Sequence, residues 1–189
     1  MARPSVRNQI VEAGLKVFSK RGYSATSVQD ITSAAEVPKG SFYNHFKSKE
    51  ALGAEIVDLY GLGSTRREIL SDTSISPATR LKRHFTALNE HYGSCGNGCL
   101  VGKFMADVSE TSPLIRGHLL AVVNRWTGEL AVAIRDGQAD GTITNTIEPR
   151  ELAAFLVDAY EGTILRARLE RDDRAFKAFM RILRSTLLR

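Results

Sequence analysis

The sixteen residues 37–52, VPKGSFYNHFKSKEAL, combine a proline and a glycine with three aromatics, three lysines and a histidine. A core helix does not carry so many polar groups, and a plain surface helix rarely shows so many rings. The residue types suit contact with a polyanion. Gly40 and Ser41 are small and would let the backbone approach closely. Lys39 and Ser41 can donate to base edges, and Phe42 can reach a thymine methyl or the groove wall. Tyr43, His45 and Lys49 can hold phosphate oxygens and so set the register. Phe46 is expected to pack inward. Lys49, at the start of one helix, and Thr26 and Ser27, at the start of an earlier one, stand where unpaired amides favour phosphate.

A second constellation lies at residues 93–116. The glycine-rich run GSCGNG leads into an apolar segment with Cys99 at the join and Lys103 four residues on. Free amides at a helix start and a lysine one turn away favour a thiolate, the reactive form. The same cysteine can equally be a small buried hydrophobe. Cys95 could bridge to Cys99 under oxidation. His91, Cys95 and Cys99 are spaced by four. Gly93, Gly96 and Gly98 oppose a continuous helix through them and a fourth ligand is missing, so no metal site is expected. No nucleophile–base pair or phosphate loop is visible; neither an enzyme nor a cofactor is expected.

The elements that must position these residues read as helices. Val6, Ile10, Ala13, Gly14, Val17 and Phe18 recur at three- and four-residue intervals, and Gly22 suits a C-terminal cap. TSVQDITSAA begins a second helix, with Thr26 as N-cap and Gln29 completing a capping box. AEVP makes a sharp turn. Pro38 then opens a short helix over about 38–45, and Ser48 caps a longer one expected to run to about residue 70. Residues 26–46 therefore form two short helices joined by a tight turn, a helix-turn-helix. Further on, apolar stripes mark helices over about 113–138 and 149–170, and Phe176, Phe179, Met180, Leu183 and Leu187 mark a last one. Thr142-Ile143-Thr144 is read as loop. The fold class is all-α.

The chain has 189 residues, 43% of them hydrophobic and 25% charged, the profile of a globular protein with a core. No apolar run reaches the roughly 18 residues of a membrane span. No secretory signal is visible and two cysteines are too few for a disulfide framework, so a cytoplasmic location is expected. The net charge of +5 is unevenly spread. Residues 1–50 hold eight Lys/Arg against four Asp/Glu, and the rest hold eighteen against seventeen. From charge alone, nucleic acid or a membrane surface could be the partner. The helix-turn-helix favours DNA.

The stretch TSVQDITSAAEVPKGSFYNHFKSKEAL resembles the DNA-binding signature of the TetR family of transcriptional regulators. The resemblance rests on Thr26, Ile31, Ala34, Ala35, Val37, Gly40, Tyr43, His45, Phe46 and Lys49 and covers about residues 5–55. It implies an all-helical homodimer that binds a double-stranded DNA operator. A helix-turn-helix domain would span 1–52, with the motif at about 27–46, and a larger effector-binding and dimerisation domain would span 53–189. It also implies that Thr26, Tyr43, His45 and Lys49 hold phosphates while Lys39, Gly40, Ser41 and Phe42 face bases. NGCLVGKFMADVSETSPLIR, with AEVPKGSFY, resembles a NemR-like subgroup of repressors that sense electrophiles through a cysteine at this place. The effector would be a small molecule or an electrophile. Besides Cys99, Cys95 and Lys103, a pocket between the long helices has Phe85, Leu88, Phe104, Trp126, Phe155 and Tyr160 as candidate lining, and each of these can also be plain core. Two stripes, Leu114 to Ile134 and Leu152, Leu156, Tyr160 and Thr163, are candidates for the dimer face or for burial within one chain.

Overall fold

The computed structural model describes residues 5–62, 65–94, 98–108 and 110–187. Cys95 lies outside them. Among the described residues all regular structure is helical: α1 (Val6–Arg21), α2 (Val28–Ala34), α3 (Lys39–Tyr43), α4 (Lys49–Leu62), a 3₁₀ segment (Thr65–Ser71), α5 (Pro77–Ser94), α6 (Leu100–Val108), α7 (Pro113–Asp140), α8 (Pro149–Glu170), α9 (Arg174–Ile182) and a closing π segment (Leu183–Leu187). No described helix is long and apolar enough to cross a membrane. The chain divides into two compact units. The first is Met1–Gly63 with Cys99–Val122, and the second is Ser64–Gly98 with Val123–Arg189. The boundary expected at residue 52 falls inside α4.

Local chemistry sets the helix ends. Ser5 caps α1 by accepting from the Asn8 amide, Lys20 and Arg21 sit in its last turn, and Gly22 ends it at φ +85°. That φ is strained for any side chain. The cap of α2 is Ser27, not Thr26: Ser27 Oγ accepts from the Asp30 amide and the Asp30 carboxylate accepts from the Ser27 amide. The third residue of the capping box is thus Asp30 in place of the expected Gln29. Hydrogen bonds from the Ser27 hydroxyl and amide hold the Asp30 carboxyl below the usual carboxylate range. α4 stops at Leu62, short of the expected residue 70, and the chain continues in the 3₁₀ segment. α8 begins with Pro149 in its first turn and ends at Arg171 in the left-handed region.

In the first unit, Ile10, Phe18, Ile31, Phe42, Leu52 and Ile56 form the core. Gly14 lets α1 lie against Leu52 and Ile56 of α4: an added Cβ would stand 2.9 Å from Ile56 Cδ1. α4 and the start of α7 share a seam of similar economy. The Ser112 hydroxyl donates to Glu50, and Gly53 faces Ile115. Asp58 pairs with His118 at 2.8 Å, and Gly61 faces Val122, where a Cβ would come within 2.6 Å of a methyl. The paired positions keep an offset of 60 to 62 residues, so the two helices run parallel and in register.

In the second unit, Leu81, Phe85, Leu130, Ile134, Leu152, Leu156 and Tyr160 are buried. Arg80 is buried too. It donates to Asp136 at 3.2 Å and to the Ile75 carbonyl at 3.0 Å. On α8, Leu152, Leu156 and Tyr160 point inward, so within this chain that stripe is core. The outward row is Phe155, Asp158, Gly162, Leu165 and Leu169, alternating three and four residues apart. Leu169 is 84% exposed.

Candidate nucleic-acid interface

The helix-turn-helix is built so that alternate side chains of one short segment serve opposite sides. Phe42 and Phe46, one turn apart, are both buried, with ring centroids 5.7 Å from each other. They root α3 in the core. Lys39, Gly40, Tyr43, Asn44, His45 and Lys47 are exposed, and Ser41 is partly so. Tyr43 is 57% exposed and meets Phe42 edge-on at 5.3 Å, which orients its ring without covering it. An added Cβ on Gly40 would meet nothing within 4 Å, so this glycine is not required by packing within the chain. Ser27, Gln29, Ser33 and Ala34 are the exposed residues of α2 and its cap.

Within the chain, three residues of the expected DNA-contact set are turned toward the protein. Phe42 is 0% exposed and packs with Phe46 on the buried side of the segment. Thr26 is 2% exposed, and its hydroxyl donates to the Gly22 carbonyl at 2.6 Å. Lys49 turns inward. Its ammonium donates to the carbonyls of Tyr23 (3.0 Å) and Thr26 (2.8 Å) and lies 4.1 Å from the Tyr23 ring centroid. Burial pushes the Lys49 pKa down, partly offset by Asp107.

What Lys49 grips is the turn between α1 and α2, and α6 grips the same turn. The Lys103 ammonium donates to the Ser19 carbonyl near the end of α1. One helical turn later, the Asp107 carboxylate accepts from the Ser24 amide at 2.8 Å. Partial burial raises the Asp107 pKa. Hydrogen bonds from Ser24 and the Tyr23 amide, with Lys49 nearby, outweigh this and hold the carboxyl below its ordinary value. Phe104, on the same helix, stacks edge-on against Phe18 (5.5 Å) and Tyr23 (5.6 Å). Phe104 is therefore core of the first unit, not part of a pocket lining in the second. Asp107 was not singled out in the sequence. Its i+4 spacing from Lys103 was the one available signal.

The candidate effector residues fall in both units. Cys99 is buried at the N-terminal edge of α6, and its carbonyl accepts the first helical bond from Lys103. Trp126 and Tyr160 meet in the second unit in a ring cluster with His84, Phe85 and Phe179. The Trp126 indole donates to His84 Nε2 at 2.9 Å, so in the neutral imidazole the proton sits on Nδ1. Phe155 is exposed and lines a groove of about 330 Å³ between α8 and α9. Among the described residues no His/Cys/Asp/Glu cluster could hold a metal ion.

Residues 10–56 match the family described as bacterial regulatory proteins, tetR family, and residues 77–183 match the tetracyclin repressor-like C-terminal domain. The chain belongs to the TetR family. Its members bind DNA to regulate transcription and are not enzymes, and this chain is such a regulator. It is 42% identical to the HTH-type transcriptional repressor DhaR of Mycobacterium sp. (strain GP1), over 100% of this chain and 95% of that one. It is 26% identical to the repressor NemR of Escherichia coli, over 88% and 85%. The solved structure of a regulatory protein TetR from Rhodobacter sphaeroides superposes with a TM-score of 0.86 at 31% identity, covering 93% and 95% of the two chains. The likeness to NemR is thus more distant than that to DhaR.

Proposed function

We propose that the chain is a repressor that reads its operator as a homodimer through α3 and leaves it when a small-molecule effector binds. The observation that carries the reading is the two-sided α3 segment. Phe42 and Phe46 anchor it while Lys39, Gly40, Ser41, Tyr43 and His45 stand on the open side. Lys39 and Ser41 meet base edges, and Tyr43 and His45 hold phosphates. Ser27, exposed at the start of α2, adds a phosphate contact. The turn grip by Lys49, Lys103 and Asp107 supports the reading, because phosphate contacts need a turn fixed in orientation. The repressor sign follows the name of DhaR.

A homodimer places two reading helices about 34 Å or somewhat more apart, in successive major grooves. The exposed α8 row, with Ile182 of α9, supplies the self-complementary face. The effector enters at the ring cluster of Trp126, Tyr160 and His84 and favours a geometry whose heads no longer match that spacing. The test is a gel shift on DNA flanking the chain's own gene at several salt concentrations. Salt-sensitive, sequence-specific binding is expected, and its absence overturns the proposal.

Cys99 favours a second form of the signal, modification of its thiol by an electrophile, as in the NemR-like reading. It sits at the start of the helix whose Lys103 and Asp107 reach the α1–α2 turn. Release of the operator by N-ethylmaleimide, abolished in Cys99→Ser, supports this form. Release that persists in the variant excludes it. Mass spectrometry of the treated protein shows whether Cys99 or Cys95 carries the adduct.

A further inference from the structure

Positive charge is concentrated a second time, late in the chain. Between Arg166 and Arg184 stand seven Lys/Arg and three Asp/Glu. Each carboxylate is taken by a near neighbour: Glu170 by Arg166 (2.9 Å), Asp172 by Arg174 (2.7 Å) and Asp173 by Lys177 (2.9 Å). Arg181 and Arg184 have no ion-pair partner among the described residues. With Lys177 they are spaced four and then three residues apart, which puts three cations on one side of α9 and the turn after it. The Lys177–Asp173 pair is well exposed on both sides and so gives way easily to a stronger anion.

Those three cations border an open groove of about 560 Å³ shared with Thr86 of α5. Phe176 and Met180 line it between them. A solvated basic helix face interleaves its cations with carboxylates. Here the carboxylates stop at Asp173, and apolar side chains fill the intervals. An inorganic anion would satisfy the arginines and leave the half-exposed Phe176 wetted. A neutral apolar molecule would do the reverse. One molecule with both parts satisfies both, and the volume lies within the roughly 300–1,000 Å³ of small-molecule sites.

We propose that the α5/α9 groove binds a small amphiphilic anion, with a phosphate or carboxylate head clamped by Arg181 and Arg184 and an apolar chain laid on Phe176 and Met180. Arg suits this role because its planar fork matches such heads through two hydrogen bonds. The occupant is a single free molecule, since a concave groove admits one chain where a bilayer surface needs a convex face. The site is separate from the reading face, so it stands or falls independently of operator binding.

The test is calorimetric titration of the full chain with dodecyl phosphate below its micelle concentration. Parallel titrations use inorganic phosphate and dodecyl maltoside, and a flotation assay uses phosphatidylglycerol vesicles. One saturable site per chain is expected for dodecyl phosphate, weakened by added salt, with phosphate or maltoside alone at least about tenfold weaker. The Arg181→Gln/Arg184→Gln double variant should bind at least about tenfold less well. Its far-UV circular dichroism and its operator gel shift should be unchanged. Three results overturn the proposal: binding indifferent to that double variant, maltoside binding as tight as dodecyl phosphate, or capture by vesicles with no binding of the monomer.

Discussion

The centre of the second unit and the α1–α2 turn of the first differ in what fixes them. At the centre of the second, His84, Phe85, Trp126, Tyr160 and Phe179 pack ring on ring, with the Trp126–His84 indole–imidazole hydrogen bond among them. In the first, the α1–α2 turn is held by charges. Lys49 and Lys103 sit on carbonyls, and Asp107 sits on amides. Ring packing fills volume and is weakly directional. Charge-assisted hydrogen bonds fix where a turn points. A unit that must present a surface at fixed register needs the second kind, and one that must admit a guest tolerates the first.

The contrast can be broken most forcefully by removing one ring from each unit. Phe42→Ala and Phe85→Ala should each cost about 3–5 kcal/mol, measured by chemical denaturation. Operator affinity at low temperature should fall only for the first. Equal loss of binding in both would mean the units do not differ in this way. The next effect belongs to Asp107→Asn. Weakening one charge-assisted bond should cost about 1–2 kcal/mol of stability. It should reduce operator binding more than an equally destabilising change in the second unit does. The pH dependence has a definite sign. The folded Asp107 carboxyl lies below its ordinary value, so its contribution is fully present above about pH 4 and is lost as pH falls through the folded value. Denaturation midpoints taken from pH 7 to pH 3 should fall less steeply in the variant.

Smaller still is Trp126→Phe, which deletes the donor to His84 and should cost about 1 kcal/mol, with operator affinity unchanged. The smallest effect is a gain. Gly40→Ala should stabilise the chain by up to about 1 kcal/mol, because the added methyl meets nothing and helix propensity improves. If Gly40 is there for close approach to DNA, the same variant should bind its operator less well while melting higher. Unchanged binding would remove Gly40 from the interface.

The helical plan was legible from spacing because helix periodicity is local. The α8 limits at 149 and 170 follow from a proline start and a charged, polar stop. The exposure of Lys39, Tyr43 and His45 was legible for the same reason. The inward turn of Lys49 was not. Its partners Tyr23 and Thr26 lie more than twenty residues earlier, and a lysine beside a basic surface reads as another contact. Phe42 was expected to face DNA; the structure buries it with Phe46, whose amide donates to the Phe42 carbonyl one turn back. The grip of α6 on the α1–α2 turn spans more than eighty residues. No local pattern encodes it.

The narrow offset of 60 to 62 residues between α4 and the start of α7 bears on how the gene can change length. Glu50–Ser112, Gly53–Ile115, Asp58–His118 and Gly61–Val122 are fastened rung by rung. One residue inserted within α4 would rotate every later rung by about 100°. It would set a side chain where Val122 leaves room only for hydrogen. One residue inserted between Leu62 and Ser112, outside both rows of rungs, changes the offset without disturbing a single pair. Length variation among descendants of this chain should therefore be absent from the two helices and collect in the connections of that interval outside α5 and α6.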